Sequence, residues 1–291
     1  MNGEIDLTKP RRPKPMATVF TAGCVLATLS CILMLIVLLV DILVQGIAWL
    51  NWDFLTSYPS RHPEQAGIKS ALAGSIWLTG LTALFSLPIG VGAAIYLEEY
   101  SSASWWRKLI QVNIANLAGV PSIVYGILGL GLFVQGMGMG RSILAGAATL
   151  SLVVLPIVIL ATQEALRAVP DSIRHASYAL GATRWQTVRH QVLPAALPGI
   201  MTGVILALSR AIGEAAPLVA VGAAAYVPFV PAGPMDQFTA LPIQIFNWAG
   251  RPQAEFHQVA GAAIIVLLWV LICMNAVAVF LRYRYGKRIQ W

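Results

Sequence analysis

Six long apolar runs constrain the fold of this chain more than any other feature. They cover approximately residues 17–48, 71–97, 110–137, 142–167, 198–227 and 256–281. A helix needs about 20 apolar residues to cross a hydrocarbon core of about 30 Å, and each run is long enough. Only 11% of the residues are charged, whereas a soluble domain carries roughly 25%. We therefore predict an all-α polytopic membrane protein with six transmembrane helices.

Lysine and arginine are distributed unevenly over the segments that join these runs. Six crossings return a chain to its starting side, so both termini are predicted on one side. That side holds fourteen of the nineteen basic residues, the other holds four, and Arg210 lies within a run. Because basic segments are retained in the cytoplasm, the fourteen mark the cytoplasmic side. Residues 1–16, 168–197 and 282–291 are then cytoplasmic, and 49–70 and 228–255 are external.

The first apolar run is interpreted as a retained anchor and not as a signal peptide. It continues to about residue 48, far beyond the length of a signal-peptide apolar core. We divide the chain into a cytoplasmic basic tail, a first transmembrane helix, a core domain that contains the loop 168–197, and a second cytoplasmic basic tail. Their boundaries are residues 1–16, 17–48, 71–281 and 282–291.

The longest predicted cytoplasmic loop contains two short amphipathic helices. Pro170 and an acidic residue after it mark the start of the first helix. Ile173, Ala176 and Leu180 then fall on one face, and Gly181 is predicted to end the helix.

In the second helix, Trp185, Val188 and Val192 repeat the spacing. Leu193-Pro194 and Leu197-Pro198 are predicted to end it. Neither helix is long enough to be stable alone in water. We therefore expect the pair to dock on a partner, in preference to lying on the membrane face with Trp185 as an anchor.

This loop resembles the EAA motif of ABC-importer permeases, which reads E-A-A, three residues, Gly, nine residues, a hydrophobic residue, one residue and Leu-Pro. The matching positions here are His175-Ala176-Ser177, Gly181, Gln191 and Leu193-Pro194. The resemblance implies that the loop, with Leu180 on its apolar face, inserts into a cleft of a separate ATP-hydrolysing subunit. His175 replaces the usual glutamate and Gln191 an apolar residue, so the glutamate's ion pairing is not carried over to His175.

The fifth run contains an arginine and a glutamate, Arg210 and Glu214. Their spacing of four places both on one helix face. A charge at the bilayer centre costs about 2.5–3.5 kcal/mol, and mutual neutralisation is the simpler interpretation of the pair. We favour a functional role, because the planar fork of an arginine binds oxyanion oxygens through two parallel hydrogen bonds.

Three further stretches resemble the A-type membrane subunit of phosphate-specific ABC importers. They are RAIGEAAPL from Arg210, NLAGVPSIVYG from Asn116 and LPIQIFNW from Leu241. The resemblance implies a type I ABC importer permease in a bacterial inner membrane, with Ser122, Arg210 and Glu214 along half of the translocation path. It also implies a second homologous permease subunit, a dimer of ATP-binding subunits and an external phosphate-binding protein.

The expected energy source lies outside this chain. The sequence has no GxxxxGK[ST] motif, which is the loop that cradles ATP phosphates. ATP and Mg²⁺ are therefore expected on the partner ATPase, and no cofactor or metal is expected on this chain. The chain is interpreted as a transport subunit and not as an enzyme, since it contains neither HExxH nor a suggestive Ser–His–acid arrangement.

Several alternatives stay open at the level of sequence. Sulfate, molybdate or phosphonate would suit an arginine as well as phosphate does. An ion-coupled secondary transporter would use Arg210 and Glu214 as a relay, but it leaves the cytoplasmic helix pair without a role. A structural scaffold leaves the intramembrane pair unexplained. The external LPIQIFNW stretch fits a gate, a contact with the binding protein, or a passive surface helix.

Overall fold

The computed structural model describes residues 15–102, 104–223 and 226–286. Residues 1–14 and 287–291 lie outside them, so most of the predicted tail 1–16 and half of the tail 282–291 are not described. The described α-helices are α1 Pro15–Gly46, α2 Trp52–Thr56, α3 Lys69–Ile95, α4 Trp105–Ala118, α5 Ser122–Gly129, α6 Ile143–Arg167, α7 Asp171–Ala179, α8 Arg184–Thr187, α9 Leu193–Gly213, α10 Ala216–Val221, α11 Leu241–Ala249 and α12 Ala254–Gly286.

The helices supply six membrane passes. Five helical stretches, built on α1, α3, α6, α8–α9 and α12, are each long and apolar enough to cross a membrane, and the pair α4–α5 forms a sixth, bent pass. The predicted all-α fold with six transmembrane helices is confirmed.

At one end of the bundle, the starts of α3 and α6 pack against the segment that precedes α11. The backbone N–H of Ile143 donates to the carbonyl of Asp236 at 3.0 Å. The backbone N–H of Leu241 donates to Ser75 Oγ at 2.9 Å. These bonds satisfy backbone groups at helix starts, which otherwise lack partners within their own helices.

At the other end of the bundle, Glu98 lies just after α3 and forms ion pairs with the start of α4 and the end of α6. It accepts from Arg107 at 2.8 Å and from Arg167 at 2.6 Å. Residues 171–192, which we call the hairpin, follow α6 at this end. We refer to the two ends as the hairpin end and the opposite end. The pass α4–α5 begins beside Glu98 and leads into α6 at the opposite end, so it crosses the bundle.

The third pass is broken, which corrects the single helix predicted over 110–137. α4 ends at Ala118, α5 begins at Ser122, and the two axes differ by 100°. Pro121 supplies no N–H and disfavours α-helical backbone at the residue before it. The hydroxyl of Tyr125 donates to the carbonyl of Leu117 at 2.8 Å, across the break.

The fifth pass begins earlier than the predicted 198–227. A π-helical turn over Val188–Val192 joins α8 to α9, so the prediction that Leu193-Pro194 ends the second hairpin helix is wrong. Pro194 lies in the first turn of α9, and the wider π turn before it accommodates the missing N–H. The pass then breaks after Gly213 and resumes as α10, which ends at Val221.

α11 lies in the protein core at the opposite end, so the interpretation of LPIQIFNW as a passive surface helix is wrong. Leu241, Ile243 and Trp248 are buried. Leu241 and Trp248 share a cluster with Phe54 and Phe256, from α2 and α12. The apolar face of this helix packs inward, and only residues such as Phe246 remain exposed.

Candidate functional site

The hairpin turns at Gly181, as predicted. Gly181 has a φ of +83°, in the left-handed region that favours glycine. Its N–H donates to the carbonyl of Tyr178 at 2.9 Å, and the N–H of Ala182 donates to that of Ser177 at 3.2 Å. These bonds end α7 and reverse the chain.

The two arms of the hairpin are held together by polar side chains. Thr183 and Gln186 form a reciprocal capping box at the start of α8, which satisfies two free N–H groups. The hydroxyls of Ser177 and Thr187 lie 2.8 Å apart and share a hydrogen bond. The hairpin is therefore a defined structural unit and not an irregular loop.

An open groove of about 450 Å³ runs along the hairpin. Three of the predicted docking residues, Ala176, Ser177 and Leu180, line it together with Gln186 and His190, among others. The Leu180 side chain is 89% exposed. Ile173 and Ala182 also line the groove, so Leu180 belongs to a continuous apolar surface, and such a surface with polar residues at its edge is a feature of interaction sites.

His175 stands apart from this groove. It is exposed and does not line the groove. In the described part of the chain its side chain makes no hydrogen bond. The structure therefore assembles the apolar part of the predicted site, and His175 lies beside it.

Arg174 ties the hairpin to the bundle. Its Nη2 donates to Glu99 Oε1 at 2.8 Å and to the Leu166 carbonyl at 2.9 Å, and its Nη1 donates to the Val169 carbonyl at 2.7 Å. Burial by itself lowers the pKa of Arg174, but hydrogen bonds and attraction from Glu99 outweigh it and raise that pKa. The guanidinium therefore stays charged while it joins the ends of α3 and α6 to α7.

Glu98 holds a second set of partners beside this pair. Besides Arg107 and Arg167, it accepts from Gln163 Nε2 at 2.9 Å. The sequence interpretation missed Glu98 and Glu99 and counted the arginines for topology alone. Two adjacent carboxylates at the predicted cytoplasmic end of a span were the available signal, because they have basic residues on the same side to pair with.

Arg210 and Glu214 form the predicted ion pair, with Nε and Oε1 3.1 Å apart. The geometry differs from the predicted shared helix face, because α9 ends at Gly213 and Glu214 lies in the break before α10. The Arg210 side chain is 50% exposed and that of Glu214 19%. Within the described residues the Nη nitrogens of Arg210 make no hydrogen bond, so its fork remains free.

Ser122 is the first residue of α5, directly after the break in the third pass. Gly126, one turn further on, packs on Pro217 of α10. Its side chain makes no hydrogen bond to Arg210 or Glu214 in the part of the chain that the structure describes. The two broken passes thus pack on each other through Gly126 and Pro217, and of the three predicted path residues only Arg210 and Glu214 are paired.

The described residues form a helical membrane bundle with two broken passes and a hairpin anchored at one end. The fold is similar to that of a chain in the crystal structure of a bacterial alginate ABC transporter, with a TM-score of 0.67 at 15% identity. The match covers 89% of this chain and 92% of that chain.

Residues 86–291 match the family described as binding-protein-dependent transport system inner membrane component, and the chain belongs to that family. It is 33% identical to the probable ABC transporter permease protein YqgI of Bacillus subtilis, over 78% of this chain and 82% of that protein. It is 38% identical to the phosphate transport system permease protein PstA 1 of Mycobacterium tuberculosis, over 78% of this chain and 74% of that protein.

Proposed function

We propose that this chain is a membrane subunit of an ATP-driven importer of inorganic phosphate and forms half of its translocation path. The observation that carries the proposal is the 38% identity, over most of both chains, to a protein named as a phosphate transport system permease. The second half of the path belongs to a homologous permease subunit. The phosphate-binding protein delivers phosphate at the opposite end of the bundle.

ATP energy enters through the hairpin in this proposal. The hairpin end is cytoplasmic in this proposal, and the two termini are assigned to the same side because residues 1–16, 168–197 and 282–291 are rich in basic residues. The groove with Leu180 at the end of α7 fits an apolar cleft on a dimer of ATP-binding subunits, which carry the ATP and Mg²⁺. Residues 175–177, 180 and 181 make up the docking region.

Phosphate passes Arg210 in this proposal. Only Nε of Arg210 is bonded to Glu214, so its Nη nitrogens are available to donate to two oxygens of one phosphate. Glu214 reduces the cost of the charge within the membrane and, by repulsion, prevents the anion from binding too tightly to leave. Ser122 contributes a hydroxyl at the start of α5, the helix that packs on α10. An arginine fork suits other oxyanions as well, so the second candidate is a permease for sulfate, molybdate or phosphonate.

Uptake of labelled phosphate by the complete complex in proteoliposomes tests the function. We expect uptake to require ATP, the ATPase and the binding protein, and to survive collapse of the proton gradient. Excess sulfate, molybdate or phosphonate is expected to leave it unchanged. Uptake without the ATPase would instead identify a secondary transporter, and competition by another oxyanion would reassign the substrate.

Docking at the groove has its own test. Leu180→Asp places a charge where the proposal requires an apolar contact, so the ATPase is expected to be lost from the purified complex. Ser172→Asp adds the same charge to an exposed residue of α7 outside the groove and serves as the control. Equal retention of the ATPase in both variants would exclude Leu180 from the interface.

A further inference from the structure

Two neighbouring glutamates after α3 form ion pairs with arginines of three other helices. Glu99 accepts from Arg174 of α7, and Glu98 accepts from Arg107 of α4 and Arg167 of α6. Glu98 and Glu99 are consecutive residues of a π-helical turn, so their side chains point in different directions and one short segment reaches elements on different sides. α3 has no covalent link to the hairpin nearby, and these ion pairs connect the two.

The Glu99–Arg174 pair is well shielded from water. The Glu99 side chain is 6% exposed and that of Arg174 15%. By contrast, Glu164 is 73% exposed in its pair with Arg167. Exposed pairs hold their partners weakly, whereas a buried pair with several hydrogen bonds is directional and costly to break.

Arg174 is suited to join rigid elements. Nε and Nη2 both donate to the Glu99 carboxylate, while Nη1 and Nη2 also donate to the carbonyls of Val169 and Leu166 at the end of α6. A displacement of α7 therefore pulls on α3 and α6 at one point. Ile173 adds an apolar contact in the same region, but apolar contacts are non-directional.

We propose that Glu99 and Arg174 are the positioning pair through which movement of the hairpin reaches the membrane passes. This inference rests on the proposed function, because it assumes an ATPase on the hairpin. From Glu99 the movement passes to adjacent Glu98 and through Arg107 to α4. It then crosses the break to α5, where Gly126 packs on Pro217 beside the second break.

The test measures how many phosphates the reconstituted complex transports per ATP hydrolysed. Glu99→Gln and Arg174→Gln are each expected to lower this ratio about 10-fold, within the range that mutations between coupled sites produce, while ATP hydrolysis continues. The double variant is expected to match Arg174→Gln alone, because that substitution already removes the contact with Glu99 together with the bonds to both carbonyls. Glu164→Gln, which neutralises the exposed carboxylate, is the matched control and is expected to keep the wild-type ratio.

Uptake and hydrolysis that fall in proportion would overturn the pair's role, as would losses that multiply in the double variant. If the complex that carries Arg174→Gln does not assemble, the ratio is measured with Arg174→Lys instead. It keeps the charge but cannot donate to Glu99 and both carbonyls at once, so an assembled complex with an intermediate ratio is expected. A normal ratio, or failure of every variant to assemble, overturns the inference. A wild-type complex without ATP-dependent phosphate uptake would instead refute the proposed function.

Discussion

Gly126 of α5 lies so close to Pro217 of α10 that a β-carbon at position 126 would fall 2.7 Å from Pro217 Cα. Real β-carbons do not approach backbone atoms this closely, so the contact requires glycine. α5 follows the break in the third pass and α10 follows the break in the fifth. The close contact therefore joins the two broken passes near the Arg210–Glu214 pair.

Gly126→Val is expected to separate α5 from α10 and to lower phosphate uptake by the reconstituted complex. Forcing a side chain into such a contact costs about 1–3 kcal/mol, which should also lower the thermal stability of the purified complex. Gly131→Val in the same pass is the control, because nothing lies within 4 Å of a β-carbon there. Equal uptake by the two variants would show that the contact is not needed.

Arg210→Gln is expected to abolish phosphate uptake while the complex still assembles. The variant removes the charge and the fork but keeps a polar side chain at a half-exposed position. Arg210→Lys keeps the charge without the planar fork, so partial uptake is expected from it. Assembly is checked by size-exclusion chromatography. Normal uptake by Arg210→Gln would remove the residue from the path.

The six passes could be predicted from sequence because a bilayer imposes a length and an apolar composition on every crossing helix. The breaks could not. Pro88 and Pro156 lie inside continuous helices, whereas Pro121 stands at a 100° bend. Neighbouring helices can satisfy the backbone groups that a proline frees, so packing decides which proline breaks a pass.

The candidate site was likewise predictable only in part. The turn at Gly181 could be predicted, because the required backbone conformation is local and favours one residue type. The Glu99–Arg174 pair joins residues 75 positions apart, and no local pattern specifies which arginine meets which carboxylate. The pairing follows from the packing of α3 against α6, which the sequence pattern did not reveal.

The hairpin should depend on Gly181 far more than on His175. Any other residue at a φ of +83° pays about 1–2 kcal/mol, so Gly181→Leu is expected to displace the groove and reduce ATPase retention in a pull-down. His175 is exposed and lies off the groove, so His175→Ala should retain the ATPase. Loss of assembly in His175→Ala alone would contradict its secondary role.

The surface of α1 is almost entirely exposed, and a close contact that attaches this helix to another helix lies near its end. Gly46 packs on the backbone of Gly261 in α12, and Trp49 Nε1 donates to Gln258 Oε1 at 2.8 Å. Small residues let membrane helices approach closely, which gives the packing that holds them together.

Gly46→Val should therefore loosen α1 and lower the free energy of unfolding of the purified complex by about 1–3 kcal/mol, which is measured as a lower unfolding temperature. Gly23→Val, in the same helix, has open space around its β-carbon and should leave stability unchanged. Gly46 contacts α12 and takes no part in the contact between the two broken passes, so uptake by Gly46→Val should exceed that by Gly126→Val. If both α1 variants unfold at the wild-type temperature, α1 is held by a contact other than Gly46 and Gly261.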